Sequence, residues 1–317
     1  MTKVPAADTV PTPAESPAAE GRATRRRTPF VLGSALLGIS ASGPLVRLSH
    51  AEPLAIASWR LGFSLIIIAF ALVLTGEWRQ WRGLEGQDVR LAAGAGASLA
   101  CHFWSWNTSV AMTSVSASVV LVNTQPIIVA LLSALWLKEA PTRRQWTGIA
   151  IALLGALVVA SADFTAAGVS SPHAMRALAG DLLALVGGVT AALYFVIGRR
   201  LRAILDLWAY VGLVYGTCFV VLLFLAVVTR TPLALRSSSD LGIFAALALG
   251  PMLLGHTGVN WALKQSRAYV VNVVLLGEPV GATIIAALVP GIHEIPGVAT
   301  IAGGTIILFG ILLTARS

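Results

Sequence analysis

Two steps in this sequence set a polar side chain directly before a proline inside a long apolar stretch: Gln125-Pro126 and Glu278-Pro279. Proline lacks a backbone N–H, so it leaves the carbonyl four residues back without its helical partner and kinks the helix. A carboxyl at such a kink could bind a proton or a cationic group. It could equally be a hydrogen-bonded structural carboxyl that holds the kink. Deep in an apolar stretch a carboxyl loses hydration, which disfavours its charged form. Asp163, Asp181, Asp206 and Asp240 all fall near the ends of apolar stretches. Glu278 is therefore the carboxyl candidate for proton coupling, with His102 and His256 in reserve.

His102 has Trp106 one helical turn on, and His256 has Asn260 in the same relation. The histidines could line opposing walls of a cavity, or each could be a packed residue bonded to a backbone carbonyl. Asn107, Asn123, Asn260 and Asn272 could face the same cavity or act as interhelical hydrogen-bond glue. Trp104, Trp106 and Tyr194 could stack on a flat or cationic solute. Arg60, preceded by Trp59, lies inside an apolar stretch. It could attract a substrate carboxylate, or act as a gate, latch or interfacial anchor. The expected solute-contacting set is His102, Trp106, Asn123, Gln125, Tyr194, His256, Asn260 and Glu278, with Arg60 as the gate. Gly33, Gly38, Gly187 and Gly188 are expected to let helices approach closely.

Other chemistries find no support. There is no G-x-x-x-x-G-K-[ST] stretch, no His/Cys metal spacing, no hydrolase-like Ser/His/Asp set and no aspartate-rich Mg²⁺ site. No catalytic residue, metal or cofactor is expected. Cys101 and Cys218 fall inside apolar stretches and read as small core residues.

The elements that must position these groups follow from composition. The 317 residues are 56% hydrophobic and 11% charged, against roughly 25% charged in an ordinary soluble domain. Such a chain suits a bilayer, where about 20 apolar residues make one helical crossing. The expected spans are 30–49, 53–75, 91–111, 115–137, 145–162, 179–198, 206–229, 241–263, 268–290 and 295–315. The runs are continuous rather than alternating and about twice a barrel strand in length, so they are helices. The net charge of +8 sits in short loops rather than on one face, which argues against nucleic acid.

Loop charge then sets orientation. With the N-terminus inside, the inner segments hold Lys3, Arg22, Arg25, Arg26, Arg27, Arg79, Arg82, Arg90, Lys138, Arg143, Arg144, Arg199, Arg200, Arg202, Lys264, Arg267 and Arg316. The outer segments hold Arg47, Arg176, Arg230 and Arg236. Both termini are expected in the cytoplasm, and the loop near Ser170 outside. Residues 1–28, rich in Pro, Ala and Thr, are expected to be a disordered basic tail. Their arginines read as a topology anchor rather than the start of a cleaved signal peptide.

The chain also repeats itself. Residues 107–126 (NTSVAMTSVSASVVLVNTQP) and 260–279 (NWALKQSRAYVVNVVLLGEP) share their first and last residues. After each comes Glu-x-Pro, at Glu139 and Glu294; then Gly148 and Gly155 match Gly303 and Gly310. Five spans in 29–163 and five in 178–316 would make two halves, and an odd number forces the second to be inverted. The expected fold class is thus an all-α integral membrane protein of ten transmembrane helices in two inverted five-helix repeats.

The ten-span pattern, the two polar-proline steps, the Arg60 span and the stretch HFWSWNTSVAMTSVSASVVLVNTQPIIVALLSALWLKEAP (102–141) resemble the EamA family of the drug/metabolite transporter superfamily. The resemblance covers roughly 30–315. It implies a central cavity between two halves, alternating access, and export of small organic solutes such as amino acids or other metabolites, from a multi-pass protein of the cell's inner membrane. The expected partners are a small-molecule solute and the lipid bilayer. Substrate and oligomeric state are not legible. Two other classes stay open: a membrane enzyme using Glu278, His102 and His256 as acid–base groups, and a non-transporting scaffold or receptor.

Overall fold

The structure is a computed structural model that describes residues 17–113, 115–166, 174–289 and 298–315. Every regular element among them is helical. In chain order these are α1 (Pro17–Ser40), α2 (Ser42–Leu48), α3 (Pro53–Thr75), α4 (Gly86–Met112), α5 (Val115–Val122), α6 (Gln125–Leu132) and α7 (Arg143–Ala166). They continue with α8 (Ala174–Leu201), α9 (Leu207–Val228), α10 (Ser238–Leu247), α11 (Gly258–Gln265), α12 (Ala268–Leu275), α13 (Glu278–Leu288) and α14 (Val298–Ala315). A 3₁₀ turn runs from Glu77 to Gly83, and π-helical segments cover Ser133–Leu137 and Ala248–Thr257.

Among the described residues, five stretches are long and apolar enough to cross a membrane: Arg27–Leu48, Pro53–Thr75, Met175–Leu201, Leu207–Val228 and Ser238–Gln265. Shorter apolar helices cover Gln125–Leu137, Ala268–Ala282 and Ile301–Thr314. The molecule is inside-out relative to a soluble protein. On α3, Ser58, Arg60 and Ser64 are buried while Ile66, Phe70, Val73 and Leu74 are exposed. On α9, Val220, Phe224, Val227 and Val228 face outward. Large apolar side chains in contiguous outward bands belong against lipid tails, not water.

The expected spans differ from the observed helices in informative ways. The run 115–137 is broken at Asn123-Thr124, and the run 268–290 at Leu276-Gly277. Each break immediately precedes a polar-proline step, so Gln125 and Glu278 both sit in the first turn of a new helix with the proline next to them. Proline is tolerated there because first-turn N–H groups have no intrahelical acceptor. The run 241–263 is continuous but widens into π-helix around Pro251, whose missing N–H loosens the ordinary ladder. Helix also begins at Pro17, inside the segment expected to be disordered. Proline at the first position followed by alanines and Glu20 is a good helix start. The external loop expected near Ser170 and the Glu294 repeat position lie outside the described residues.

Close crossings hold the bundle. α7 packs along α14 through glycine: a Cβ on Gly148 would lie 2.8 Å from the Gly310 carbonyl oxygen, and one on Gly155 would lie 2.7 Å from the Gly303 carbonyl oxygen. α4 packs along α8, α1 along the π segment, and α3 along α9. Gly38 meets the backbone of Gly250, Gly187 meets Ser105, and Gly188 meets Val122. Gly33 is the exception, with no neighbour within 4 Å of an added Cβ. Its place on α1 faces outward, so it permits no helix contact.

Candidate functional site

The breaks and the π segment converge on one polar cavity. His102, Phe103 and Trp106 reach it from α4, and Arg60 from α3. Asn123 and Gln125 come from the first broken helix, Glu278 and Leu275 from the second. Phe195 of α8 and His256 of the π segment close the wall. Its free volume is about 40 Å³. That is room for water rather than for an organic solute, whose sites usually run to several hundred Å³. The helices must separate before a metabolite fits.

The histidines are neighbours. Their ring centroids lie 6.3 Å apart. His102 Nδ1 is 3.0 Å from the Gly187 carbonyl oxygen, to which it donates when that nitrogen carries hydrogen. Its ring stacks on Trp106 at 6.5 Å. Phe103 stands edge-on to His256 at 5.2 Å. His256 Nδ1 and Trp106 Nε1 are buried with no acceptor or donor opposite them among the described residues. Glu278 is 8% exposed and lines the cavity with Asn123 of the other helix break, whose own Nδ2 donates to the Val119 carbonyl at 2.8 Å. The two breaks thus meet on the wall of one cavity. The first-turn N–H groups of α13 favour negative charge at Glu278, opposing its desolvation.

Two expected residues do not line the cavity. Tyr194 points into a neighbouring polar cluster instead. Asn260 Nδ2 lies 2.5 Å from its hydroxyl, 3.1 Å from the Tyr215 hydroxyl and 2.8 Å from the His256 carbonyl oxygen. Tyr215 in turn meets Thr257 at 3.2 Å, and the Thr257 hydroxyl donates to the Met252 carbonyl. This cluster braces the π segment that carries His256. One residue along α8, a rotation of about 100°, brings Phe195 to the wall in place of Tyr194. Arg60 makes no ion pair among the described residues. It is buried, with its guanidinium carbon 4.2 Å from the Phe103 ring centroid.

Sequence reasoning also missed Ser42, Phe103 and Phe195 on the wall. Phe103 and Phe195 adjoin residues that were singled out, and a helical-wheel comparison of α4 and α8 would have raised them. Pro251, mid-stretch in an apolar run, was the available signal for the π segment.

The model of the EamA-like transporter family matches this chain twice, over residues 30–161 and 178–316. The chain belongs to that family. It is a multi-pass membrane protein, and the relatives of this EamA-like chain carry transporter names. It is 27% identical over 269 residues to an uncharacterized transporter of Archaeoglobus fulgidus, covering 84% of this chain and 89% of that protein. It is 28% identical over 257 residues to the uncharacterized transporter YdfC of Bacillus subtilis, covering 80% and 79%. One solved crystal structure superposes with a TM-score of 0.73 over 92% of this chain and 98% of its own, at 16% identity. That likeness concerns the fold.

Proposed function

We propose that this EamA-like membrane transporter moves small organic solutes by alternating access, as an exporter, with the polar cavity as its solute site. In this reading the chain is two inverted repeats of five spans, 29–163 and 178–316, with both termini in the cytoplasm. The observation that carries it is the reciprocity of contacts between equivalent positions. Gly148 and Gly155 correspond in sequence to Gly303 and Gly310, and Gly148 meets Gly310 while Gly155 meets Gly303. That crossed pattern is what a two-fold axis generates, where residue i meets j′ and j meets i′. His102 and His256, at near-equivalent positions, meet each other. Two halves related in this way can rock against each other around one site.

Flux tests it directly. Purified protein in proteoliposomes should move a radiolabelled solute that is recovered chemically unchanged. Recovery of a converted product would favour the membrane-enzyme reading, and neither flux nor conversion across a metabolite panel would favour a scaffold. Orientation has its own check: Ser237→Cys should label with an impermeant thiol reagent on intact cells, and Arg200→Cys should not. The reverse pattern would invert the assignment.

A further inference from the structure

Arg60 is a cation that its surroundings do not balance. The side chain is 1% exposed. Nε and Nη1 have no acceptor among the described residues, and Nη2 meets only the Met252 sulfur at 3.8 Å. A thioether is a weak acceptor. The Phe103 ring holds the guanidinium plane at 4.2 Å without using an N–H. Glu278, the carboxyl on the same cavity, makes no ion pair with Arg60, and the ion pairs of the described residues all lie elsewhere. An uncompensated buried ion is costly, and within a membrane-spanning segment it marks a ligand path or a partner.

The geometry of the unused donors defines the partner. A guanidinium edge matches two coplanar oxygens, so a carboxylate can accept two parallel hydrogen bonds from it. Among the residues lining the cavity, Arg60 is the one Lys or Arg. A single fixed positive charge matches a monoanion better than a phosphate dianion. Trp106 Nε1 offers a further N–H without a partner, and Phe103, Phe195 and Trp106 supply an apolar wall. We propose that the cavity takes a solute bearing a carboxylate, and that Arg60 is the residue that holds it. The inference deepens the transporter reading and uses the same cavity, but binding can be measured apart from transport.

The test compares acids with their amides, which keep the shape and remove the charge. Acetate and acetamide, benzoate and benzamide, and L-leucine and L-leucinamide are titrated into the full-length protein in detergent, with sodium chloride at matched ionic strength. Thermal unfolding is the readout, because a ligand of the folded state raises apparent stability. At least one acid should bind about tenfold or more tightly than its amide, as expected for hydrogen bonds to a charged group. Arg60→Gln should erase that preference while leaving the melting temperature without ligand close to wild type. Arg60→Lys keeps the charge and loses the planar fork, so it should retain only part of the preference. If Arg60→Gln does not fold, Arg60→Lys carries the comparison alone. The proposal is overturned if no acid outperforms its amide on wild-type protein, if chloride stabilises as well as the acids, or if the preference survives intact in the variant. Acid-selective binding without flux would keep this inference and sink the transporter reading. Carboxylate flux that Arg60→Gln leaves unchanged would do the opposite.

Discussion

The crossing of α7 with α14 and the polar cavity belong to one bundle and follow opposite rules. At the crossing, backbone meets backbone over glycines, and the nearby Thr314 hydroxyl is satisfied by the Gly310 carbonyl at 3.0 Å. In the cavity, Arg60, Trp106, Asn123 and His256 each keep a buried polar atom without a partner. The crossing uses residues that recur between the two halves of the sequence. The cavity's charged groups do not recur: Glu278 stands where the other half has Gln125. Equivalent glycines carry this packing, whereas the cavity sets one near-equivalent pair, His102 and His256, beside the non-equivalent Arg60 and Glu278. A site left under-satisfied by the protein is also one that a ligand can complete.

The largest effect should come from breaking the crossing. A side chain on Gly310 would put its Cβ 2.6 Å from the Gly148 carbonyl oxygen and 2.5 Å from the Ala152 nitrogen. Backbone on both sides cannot step aside as a flexible side chain can. Gly310→Val should cost at least the ~1–3 kcal/mol of ordinary overpacking and reduce the yield of folded protein sharply. Gly33→Ala is the internal contrast. Nothing lies within 4 Å of its added Cβ, and replacing a helical glycine should gain about 0.4–1 kcal/mol. Equal melting temperatures for the two variants in detergent would show that the crossing does not hold the bundle.

The second experiment sharpens the cavity side. Glu278→Gln makes the two helix breaks chemically alike, with a neutral amide beside each proline. It keeps the shape and a polar group beside Asn123, so stability should move by less than about 1 kcal/mol. If Glu278 exchanges a proton during transport, the variant should still equilibrate solute across proteoliposomes but should no longer concentrate it under a pH gradient. Normal accumulation by a folded Glu278→Gln variant would make Glu278 a structural kink residue.

Much of this contrast was legible before the fold was known. Apolar run length gave the helices, and the polar-proline steps marked where two of them break, because a missing N–H acts locally whatever the surroundings. His102, Trp106, Asn123, Gln125, His256 and Glu278 meet at one cavity because each lies mid-run, where a polar group has no water to turn to. Asn260 lies one turn beyond His256 and turns to Tyr194 and Tyr215 instead, while Tyr194 was misplaced by rotation. Neighbouring helical residues point about 100° apart, and run length alone does not say which one faces inward. Arg60 was open to being a carboxylate site, a gate, a latch or an interfacial anchor, and the sequence alone did not show that it packs on Phe103. The glycines divide the same way: Gly148 and Gly310 were visible as a repeat, but that they touch is a property of the assembled bundle.

The smallest effect belongs to the charged end of the bundle, a third kind of region in which exposed groups such as Lys264 and Asp206 pair in water. Asp206, just before α9, accepts hydrogen bonds from Lys264 at 2.7 Å and Gln80 at 2.8 Å. These bonds, that from Lys264 foremost, hold its carboxyl below the usual carboxylate range. A carboxyl with a depressed folded value stabilises the protein at neutral pH, where it is ionised in both states. That contribution begins to fade as pH falls toward the ordinary carboxylate value near 4, and it is gone once pH drops below the folded value. The Asp206 side chain is about half exposed, so solvent screens the pair and the contribution should be only about 0.2–1 kcal/mol. Asp206→Asn should therefore lower the melting temperature slightly at pH 7, and the difference from wild type should shrink as melts are taken to acid pH below the ordinary carboxylate value. Added salt should shrink the pH 7 difference as well. A loss at pH 7 as large as that of Gly310→Val would mean that the charged end is a structural clamp comparable to the glycine crossing, and the division between packing and chemistry drawn above would have to be redrawn.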